Sequence, residues 1–257
     1  MMAAMTRNKV SVLGVGIVNL SQEEAILLME SFLQDKGITR SIFIVNTHSL
    51  NLAKANPEYS AVLKRANHVF ADGTGARWAA RLRGVRLKDN LVGTDLIPRL
   101  FNKTSGEGLR YFLLGANPGT VDRAAERCAR EFAGWTLAGF HHGYINESES
   151  LKVVAKINAA KPNLLLVAMG NPLQENWIDR YKSQLTVPLC VGVGGLFDHW
   201  AGNLERAPAW IRRQGLEWLQ ILLQQPHKWR RYLIGNPIFI MRIIMDLPRD
   251  LAKTNKV

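Results

Sequence analysis

The sequence predicts an α/β fold, in which a Rossmann-like, mostly parallel sheet is flanked by helices and followed by a basic helical C-terminal appendage. Two observations support this prediction. Short apolar runs alternate with amphipathic stretches of about 10–15 residues, which is the pattern of repeated β-α-β units. Glycine and polar residues follow the apolar runs, as expected where the strands of such a sheet end. Residues 1–200 are therefore predicted to form an α/β body and residues 201–257 a helical, basic segment.

Each predicted strand is a short apolar run that ends in polar or glycine residues. The runs are residues 9–20 (a strand or a hairpin), 41–47, 67–73, 110–115, 136–143, 163–170 and 190–195. Runs of this length with such boundaries are typical of buried strands.

Helical periodicity fills the intervals between the predicted strands. Ser21 and Glu24 have the spacing of a capping box, in which each side chain binds a backbone N–H of the other residue. Thr74 is predicted to cap a second helix. The helices are predicted to pass through residues 25–32, 50–54, 76–82, 95–100, 121–132, 151–157, 177–181 and 208–219.

The composition is that of an ordinary globular protein with a strongly basic charge balance. The net charge is +12, and residues 200–257 contribute half of it, with ten basic and four acidic residues. A basic segment of this kind points to nucleic acid or to an anionic membrane surface. The two cysteines, Cys128 and Cys190, lie in apolar runs and predict small buried side chains in a reducing compartment. No signal peptide is expected at the N-terminus.

Potential site residues gather where the predicted strands end. They are Thr47 and His48, Asp72 and Gly73, residues 141–144, Gly170 and Asn171, and Gly194 and Gly195 with Asp198. Ligands of open α/β sheets bind at this edge. Of His141 and His142, one is predicted to be structural and the other to face the site, because neighbouring strand residues point to opposite sides.

The sequence motifs that mark several familiar chemistries are absent from this chain. The chain has no G-x-G-x-x-G or Walker A sequence, no Asp-x-Asp pair, no zinc-ligand spacing and no G-x-S-x-G elbow. No metal or cofactor is predicted, and a Ser-His-Asp triad stays open. The glycines at 192–195 offer bare backbone N–H groups to a phosphate, and a tight turn without a ligand is the alternative.

A series of short motifs in register resembles the WecG/TagA/CpsF family of bacterial glycosyltransferases. They are residues 72–75 (DGTG), 93–96 (GTDL), 142–144 (HGY), 170–175 (GNPLQE), 192–198 (GVGGLFD), 206–208 (RAP), 215–218 (GLEW) and 230–232 (RRY), the last preceded by Pro226. The resemblance runs from about Thr47 to Tyr232. One departure is that many members have Thr-Pro-Asn where this chain has Thr47, His48 and Ser49.

The resemblance implies a metal-independent, inverting transfer of a sugar from a UDP-sugar to a hydroxyl of a polyprenyl-diphosphate-linked sugar. N-acetylmannosamine is the default donor sugar and lipid-linked N-acetylglucosamine the default acceptor, while other members use other sugars for capsule or exopolysaccharide. The expected location is cytoplasmic, peripheral on the inner face of the cell membrane, and a homo-oligomer is possible.

The resemblance also assigns roles residue by residue. Asp72 corresponds to the proposed general base, and Thr47 lies near the reacting sugars. The remaining residues are expected around the nucleotide-sugar: Tyr144 and Asp198 at the uridine, Gly194 and Gly195 leaving room for it, and Gln174 lining the site. From the residues alone, the alternatives are an Asx turn at Asp72, local backbone bonding for Thr47, a packed Tyr144, a helix-capping Asp198 and a surface Gln174.

The C-terminal segment is predicted to bind an anionic membrane surface. Helical spacing would place Trp229, Tyr232 and Leu233 on one face, which suits the membrane interface; packing on the body is the alternative. The apolar run 237–245 is too short to span a bilayer. By resemblance, Arg230 and Arg231 are expected to neutralise the lipid diphosphate, and Arg212 or Arg213 to serve the leaving UDP.

Two other functions are compatible with parts of the sequence. A nucleic-acid-binding protein would explain the basic, aromatic-containing tail, but the chain has no recognised nucleic-acid motif and the strand ends would be unexplained. A soluble enzyme that modifies UDP-sugars would explain the strand ends, but would need a nicotinamide fingerprint that is missing. The sequence therefore favours a glycosyltransferase without nucleic acid as a partner.

Overall fold

The computed structural model describes residues 8–35 and 37–254, except for the side chains of residues 213 and 248–254. The strands are β1 (Lys9–Val12), β2 (Val15–Val18), β3 (Arg40–Val45), β4 (His68–Ala71), β5 (Arg110–Gly115), β6 (Thr136–His141), β7 (Leu164–Ala168) and β8 (Leu189–Gly192). The helices of the body are α1 (Gln22–Leu33), α2 (Thr47–Ala55), α3 (Pro57–Arg65), α4 (Thr74–Leu82), α5 (Gly93–Lys103), α6 (Pro118–Glu131), α7 (Glu147–Ala160), α8 (Leu173–Tyr181) and α9 (Leu196–Trp200).

Strands β3 to β8 form a six-stranded parallel sheet in the order β4-β3-β8-β7-β5-β6. β1 and β2 form a separate antiparallel hairpin. Alternate residues of the buried strands face two apolar cores: Ile42 and Leu166 point to one, Phe43 and Val167 to the other. Such strands read as continuous apolar runs because both faces are covered by helices. The predicted fold class is confirmed.

Local sequence signals explain most helix starts, with two differences from the predictions. The capping box of Ser21 and Glu24 is present as predicted. Thr47 was assigned to the end of a strand, but it is the first residue of α2, because the side chain of Asn46 caps that helix. Thr74 is not a cap, because Gly73, at a φ of 90°, occupies that position. Both cysteines are free and buried.

The C-terminal segment consists of α10 (Ala209–Arg213), α11 (Glu217–Gln224), a 3-10 turn (Pro226–Lys228), a π-helical turn (Arg230–Ile234) and α12 (Gly235–Thr254). α12 packs on α2 and places Phe239 and Ile243 in the core of the body. Side-chain hydrogen bonds tie the two helices, from Asn51 Nδ2 to Gly235 O (2.7 Å) and from Arg242 to Asn51 O (2.7 Å).

The prediction that Trp229, Tyr232 and Leu233 share one helical face is wrong. Tyr232 is buried, whereas Trp229 and Leu233 are exposed. The 3-10 and π-helical turns break the spacing of 3.6 residues per turn on which that prediction rested. Within the part of the chain that the structure describes, no helix is both long and apolar enough to cross a membrane.

Candidate active site

A cavity of about 790 Å³ lies where β3, β4, β7 and β8 end, and the C-terminal segment forms its opposite wall. Its size suits a nucleotide-sized ligand. The sequence-predicted residues that line it are Thr47, Asp72, Tyr144, Gly194, Gly195, Asp198, Arg212 and Arg231. Parallel strand ends from distant parts of the chain therefore converge as the fold class requires.

Asp72 follows β4 and is held by its backbone. Its N–H donates to Val45 O (2.8 Å), and the N–H of Gly73 donates to Asn90 Oδ1 (2.7 Å). Burial, together with the negative charge of Glu217, raises the pKa of Asp72 to about 6, although Arg231 and Arg206 oppose the rise. A carboxylate with this proton affinity is suited to accept a proton near neutral pH.

Thr47 lies beside Asp72 at the start of α2. Its hydroxyl donates to Asn236 Oδ1 (3.1 Å) in the first turn of α12. A Cβ at Gly75 would lie 2.2 Å from Thr47 Cγ2, so any larger residue at position 75 would collide with the Thr47 side chain. Thr47 thus connects the body to the C-terminal segment at the cavity wall.

The glycine turn after β8 rests on a buried polar network. The N–H of Gly194, whose φ is 57°, donates to Gln174 Oε1 (3.1 Å). Gln174 Nε2 in turn donates to Glu175 (2.7 Å), which also accepts from Asn171 (2.6 Å). Burial raises the pKa of Glu175 to about 7, against the lowering effect of these hydrogen bonds.

Gln174 is predicted to line the site, but this network shows that its side chain is not part of the cavity wall. Gln174 is fully buried beneath the turn, where it positions the backbone of Gly194. Gly194 and Gly195 line the cavity, and nothing lies within 4 Å of a Cβ built at either position. The backbone of these two glycines therefore faces the open space of the cavity, with no side chain between it and a ligand.

Tyr144 follows β6, Asp198 lies in α9 after β8, and both line the cavity. Tyr144 is 74% exposed and free to stack on a planar ring. Asp198 Oδ1 accepts a hydrogen bond from Asn203 Nδ2 (3.3 Å), and Asn203 is itself bound by Arg123 (2.7 Å). The Asp198 carboxylate is thus oriented by a residue just past α9.

The basic residues predicted for this site do not all face it. Arg231 lines the cavity, with its guanidinium 5.4 Å from the centre of the Tyr232 ring. Arg230 does not line it, because its side chain is exposed and lies against Trp229. Arg212 lines it while donating to Ala207 O (3.0 Å). The side chain of Arg213 falls outside the described part of the structure.

Several lining residues, among them Lys228, Glu217 and Asn236 of the C-terminal segment, were not predicted from the sequence. His48, one of the predicted strand-end residues, lines the cavity from α2. The prediction of a site-facing histidine among His141 and His142 is wrong. The Nδ1 of His141 lies 2.9 Å from His142 O, and neither ring is among the groups that line the cavity.

An ion-pair network joins the two sides of the cavity. Arg206 forms a bidentate pair with Asp95 at the start of α5 and lies 3.5 Å from Glu217. Arg212 is 3.9 Å from the same Asp95 carboxylate. Asp95 belongs to the GTDL motif and Arg206 to the RAP motif, but neither motif indicates that the two residues pair. Among the residues described, no three His, Cys, Asp or Glu side chains group in a way that could hold a metal ion.

The fold and the cavity define an α/β enzyme with its site at the carboxyl ends of parallel strands, closed by a C-terminal segment. Comparison with known proteins identifies the family: residues 10–252 match the glycosyl transferase WecG/TagA/CpsF family. The chain belongs to this family and is a glycosyltransferase, so the resemblance drawn from the motifs is confirmed.

Characterised relatives share one activity name. The chain is 37% identical over 181 residues (70% of each chain) to an N-acetylglucosaminyldiphosphoundecaprenol N-acetyl-beta-D-mannosaminyltransferase of Bacillus spizizenii. Proteins of the same name from Bacillus subtilis and Staphylococcus aureus are each 30% identical. They cover 89% and 91% of this chain, and the matches span 88% and 92% of the relatives.

Proposed function

We propose that this protein transfers N-acetylmannosamine from a UDP-sugar to a hydroxyl of polyprenyl-diphosphate-linked N-acetylglucosamine, with inversion at the anomeric carbon and without a metal ion. The observation that carries the proposal is the position of Asp72, a carboxylate with a raised pKa in a cavity that is also lined by Lys228 and Arg231. The shared name of the three relatives supports the choice of sugars and acceptor.

In the proposed reaction Asp72 removes the proton of the acceptor hydroxyl. The hydroxyl oxygen then bonds to the anomeric carbon while the bond from that carbon to the UDP oxygen breaks, and UDP leaves with the electron pair. A single displacement of this kind inverts the anomeric configuration. Thr47, beside Asp72 in the cavity wall, is placed to bind a sugar hydroxyl.

The nucleotide is proposed to lie along the glycine turn. Tyr144 would stack on the uracil ring, and Asp198 would accept hydrogen bonds from the ribose or the base. Gly194 and Gly195 leave space for the diphosphate. Of Arg212 and Arg213, the proposal keeps Arg212 for the leaving UDP, because Arg212 lines the cavity.

Protein cations are proposed to take the charge-neutralising role that a metal ion has in other glycosyltransferases. Arg231 and Lys228 line the cavity, and no carboxylate of the described residues lies within 4.0 Å of either. Fixed cations stabilise charge that develops on a leaving diphosphate. They also suit a lipid-linked diphosphate, for which the sequence had suggested Arg230 and Arg231.

The first test is a transfer assay with a soluble short-chain prenyl diphosphate-linked N-acetylglucosamine and a panel of UDP-sugars, followed by mass spectrometry. We expect one added N-acetylhexosamine from UDP-N-acetylmannosamine and the same rate when EDTA is present. Addition of a hexose from another donor would correct the sugar, and loss of activity in EDTA that added Mg²⁺ restores would contradict metal independence. No product with any donor would reject the proposed acceptor.

We also propose that the C-terminal segment binds the inner face of the cell membrane. An exposed apolar face on α12 consists of Pro237, Ile240, Met241, Ile244 and Met245. Ile240 also lines the cavity, so the apolar face is continuous with the site. The exposed Arg230 begins the π-helical turn that precedes α12. Apolar side chains beside basic ones match a surface that inserts into anionic lipid.

The membrane proposal predicts a loss of vesicle binding when charge is placed on this face. The double variant Met241→Asp and Ile244→Asp is expected to bind phosphatidylglycerol vesicles at least about tenfold more weakly, because two apolar side chains no longer enter the lipid. Leu151→Asp, at an exposed leucine of α7, is the matched control and should bind as the wild type does. Flotation of the double variant equal to that of the control would contradict the proposal.

A further inference from the structure

Three basic side chains meet on the wall of the cavity that is formed by α2 and the C-terminal segment. His48 is the second residue of α2, Lys228 ends the 3-10 turn, and Arg231 belongs to the π-helical turn. All three line the cavity and all are partly buried. The backbone N–H of His48 donates to Asn46 Oδ1 (3.1 Å), which fixes the start of the side chain.

The two permanent cations of this group have no close counter-ion among the residues that the structure describes. Of the described carboxylates, none lies within 4.0 Å of Lys228 or Arg231. Two carboxylates of the cavity are engaged elsewhere: Glu217 lies beside Arg206, and Asp198 accepts from Asn203. The third, Asp72, feels the charge of Arg231 but forms no ion pair with it among the described residues. Partly buried cations without a partner are costly unless an anion joins them.

The electrostatic consequences show in the proton affinities of the group. Burial lowers the pKa of Lys228, and the charge of Arg231 lowers it further, against a smaller opposing effect of Asp198. Burial lowers the pKa of His48 to about 4, with added repulsion from Arg231 and Lys228. In the free protein the imidazole of His48 is therefore neutral at physiological pH.

We propose that His48, Lys228 and Arg231 form one anion subsite for a diphosphate, and that His48 binds a proton when the diphosphate enters it. The inference rests on the proposed function, because that reaction brings diphosphates into this cavity. A bound diphosphate places negative charge beside His48 and neutralises the repulsion from the two cations, which favours the imidazolium form. His48 is thus a binding residue whose charge appears only with the ligand.

The sign of the pH dependence follows from this linkage. A ligand that raises the pKa of His48 binds more tightly as the pH falls from above the bound-state pKa toward the free-state pKa of about 4. The affinity can change by at most about tenfold per pH unit from one proton. A neutral glutamine at position 48 removes this dependence.

Two diphosphates take part in the proposed reaction, one on the nucleotide and one on the lipid, and the experiment separates them. The probes are UDP-N-acetylglucosamine and geranyl diphosphate-linked N-acetylglucosamine. Both are disubstituted diphosphates without a phosphate group that titrates near neutral pH, so the probe itself takes up no proton.

The test is isothermal titration calorimetry near pH 6 in two buffers with different ionisation enthalpies. We expect the wild type to take up roughly half to one proton more per bound probe than His48→Gln, because any uptake by Asp72, whose pKa is about 6, is common to both proteins. Equal uptake by the two proteins would overturn the inference. His48→Gln is also expected to bind about three- to tenfold more weakly near pH 6, with the difference disappearing near pH 8. His227→Gln is the matched control, because His227 is exposed and does not line the cavity. Uptake with only one probe still supports the subsite and assigns it to the nucleotide or to the lipid.

A second variant and a direct measurement guard against a folding defect in His48→Gln. His48→Lys supplies a fixed charge and should take up no more protons on binding than His48→Gln does. The direct measurement is an NMR titration of the wild type, in which the ring C–H signal of His48 should shift at higher pH when the probe is bound. Probe binding without proton uptake by the wild type would overturn the inference while leaving the proposed transfer intact. Absence of both binding and transfer would reject the inference and the proposed function together.

Discussion

The Asp72→Asn variant is expected to lower kcat by about 10²–10⁴-fold, the usual contribution of a general base. The amide has nearly the same shape as the carboxylate but cannot accept the proton of the acceptor hydroxyl. Affinity for the nucleotide should change little, because the proposed uridine contacts lie at Tyr144 and Asp198. Single-turnover transfer rates and calorimetric binding of UDP measure the two effects separately.

The pH profile of transfer is a second sign of this base, and it is measured in His48→Gln, in which diphosphate binding takes up no proton at position 48. Because burial raises the pKa of Asp72 to about 6, kcat/KM of this variant should fall about tenfold per pH unit below that value and be level above it. The active form is the carboxylate, so activity is lost as the pH falls. A profile without a step near pH 6 would mean that another group sets the protonation state for the reaction.

Stability provides the control for a folding defect in Asp72→Asn. The folded protein holds the proton of Asp72 up to about pH 6, whereas a free aspartate loses it at 3.8. The ionised carboxylate therefore destabilises the fold at about pH 8, by an amount of the order of 2–3 kcal/mol. Asp72→Asn is expected to unfold at a higher denaturant concentration than the wild type at that pH. An inactive variant with lowered stability would not identify Asp72 as the base, and full activity would remove it from the mechanism.

The sheet and its glycine turn could be predicted from the sequence because their signals are local. Apolar runs that end in glycine or polar residues mark buried strands, and a parallel sheet brings their carboxyl ends together. Asp72 and the glycines at 194 and 195 follow from this rule. Their roles in the reaction came from the resemblance of the motifs to the family.

The other half of the cavity could not be predicted because it depends on contacts between distant residues. Thr47 and Asn236 are 189 positions apart, and Asp95 and Arg206 are 111 apart. Gln174 belongs to an expected motif, but only the packing of α8 under the glycine turn shows that its side chain is buried. The inward position of Tyr232 likewise depends on the π-helical turn, which has no simple periodic signal.

Docking of α12 is expected to depend on one aromatic side chain. Phe239 is 1% exposed and packs in the core that contains Leu50, Ala53 and Ala76. Phe239→Ala is expected to lower the free energy of unfolding by about 3–5 kcal/mol, since it removes a buried ring and leaves a cavity. Met241→Ala, at a side chain that is 53% exposed on the same helix, should change it by no more than about 0.5 kcal/mol.

The transfer rate of Phe239→Ala shows whether α12 only stabilises the fold or also completes the active site. Phe239 itself lines the cavity, and its helix carries Asn236, the partner of Thr47, and continues from the turn that carries Arg231. If α12 leaves the body in Phe239→Ala, the cavity loses this wall, and transfer should fall at least about tenfold. Hydrogen exchange of the amides of α2 and α12, measured together with the transfer rate, tests this coupling. Rapid exchange in α12 with an unchanged rate would show that the body alone performs the reaction; matched losses would show that the C-terminal segment is part of the active site.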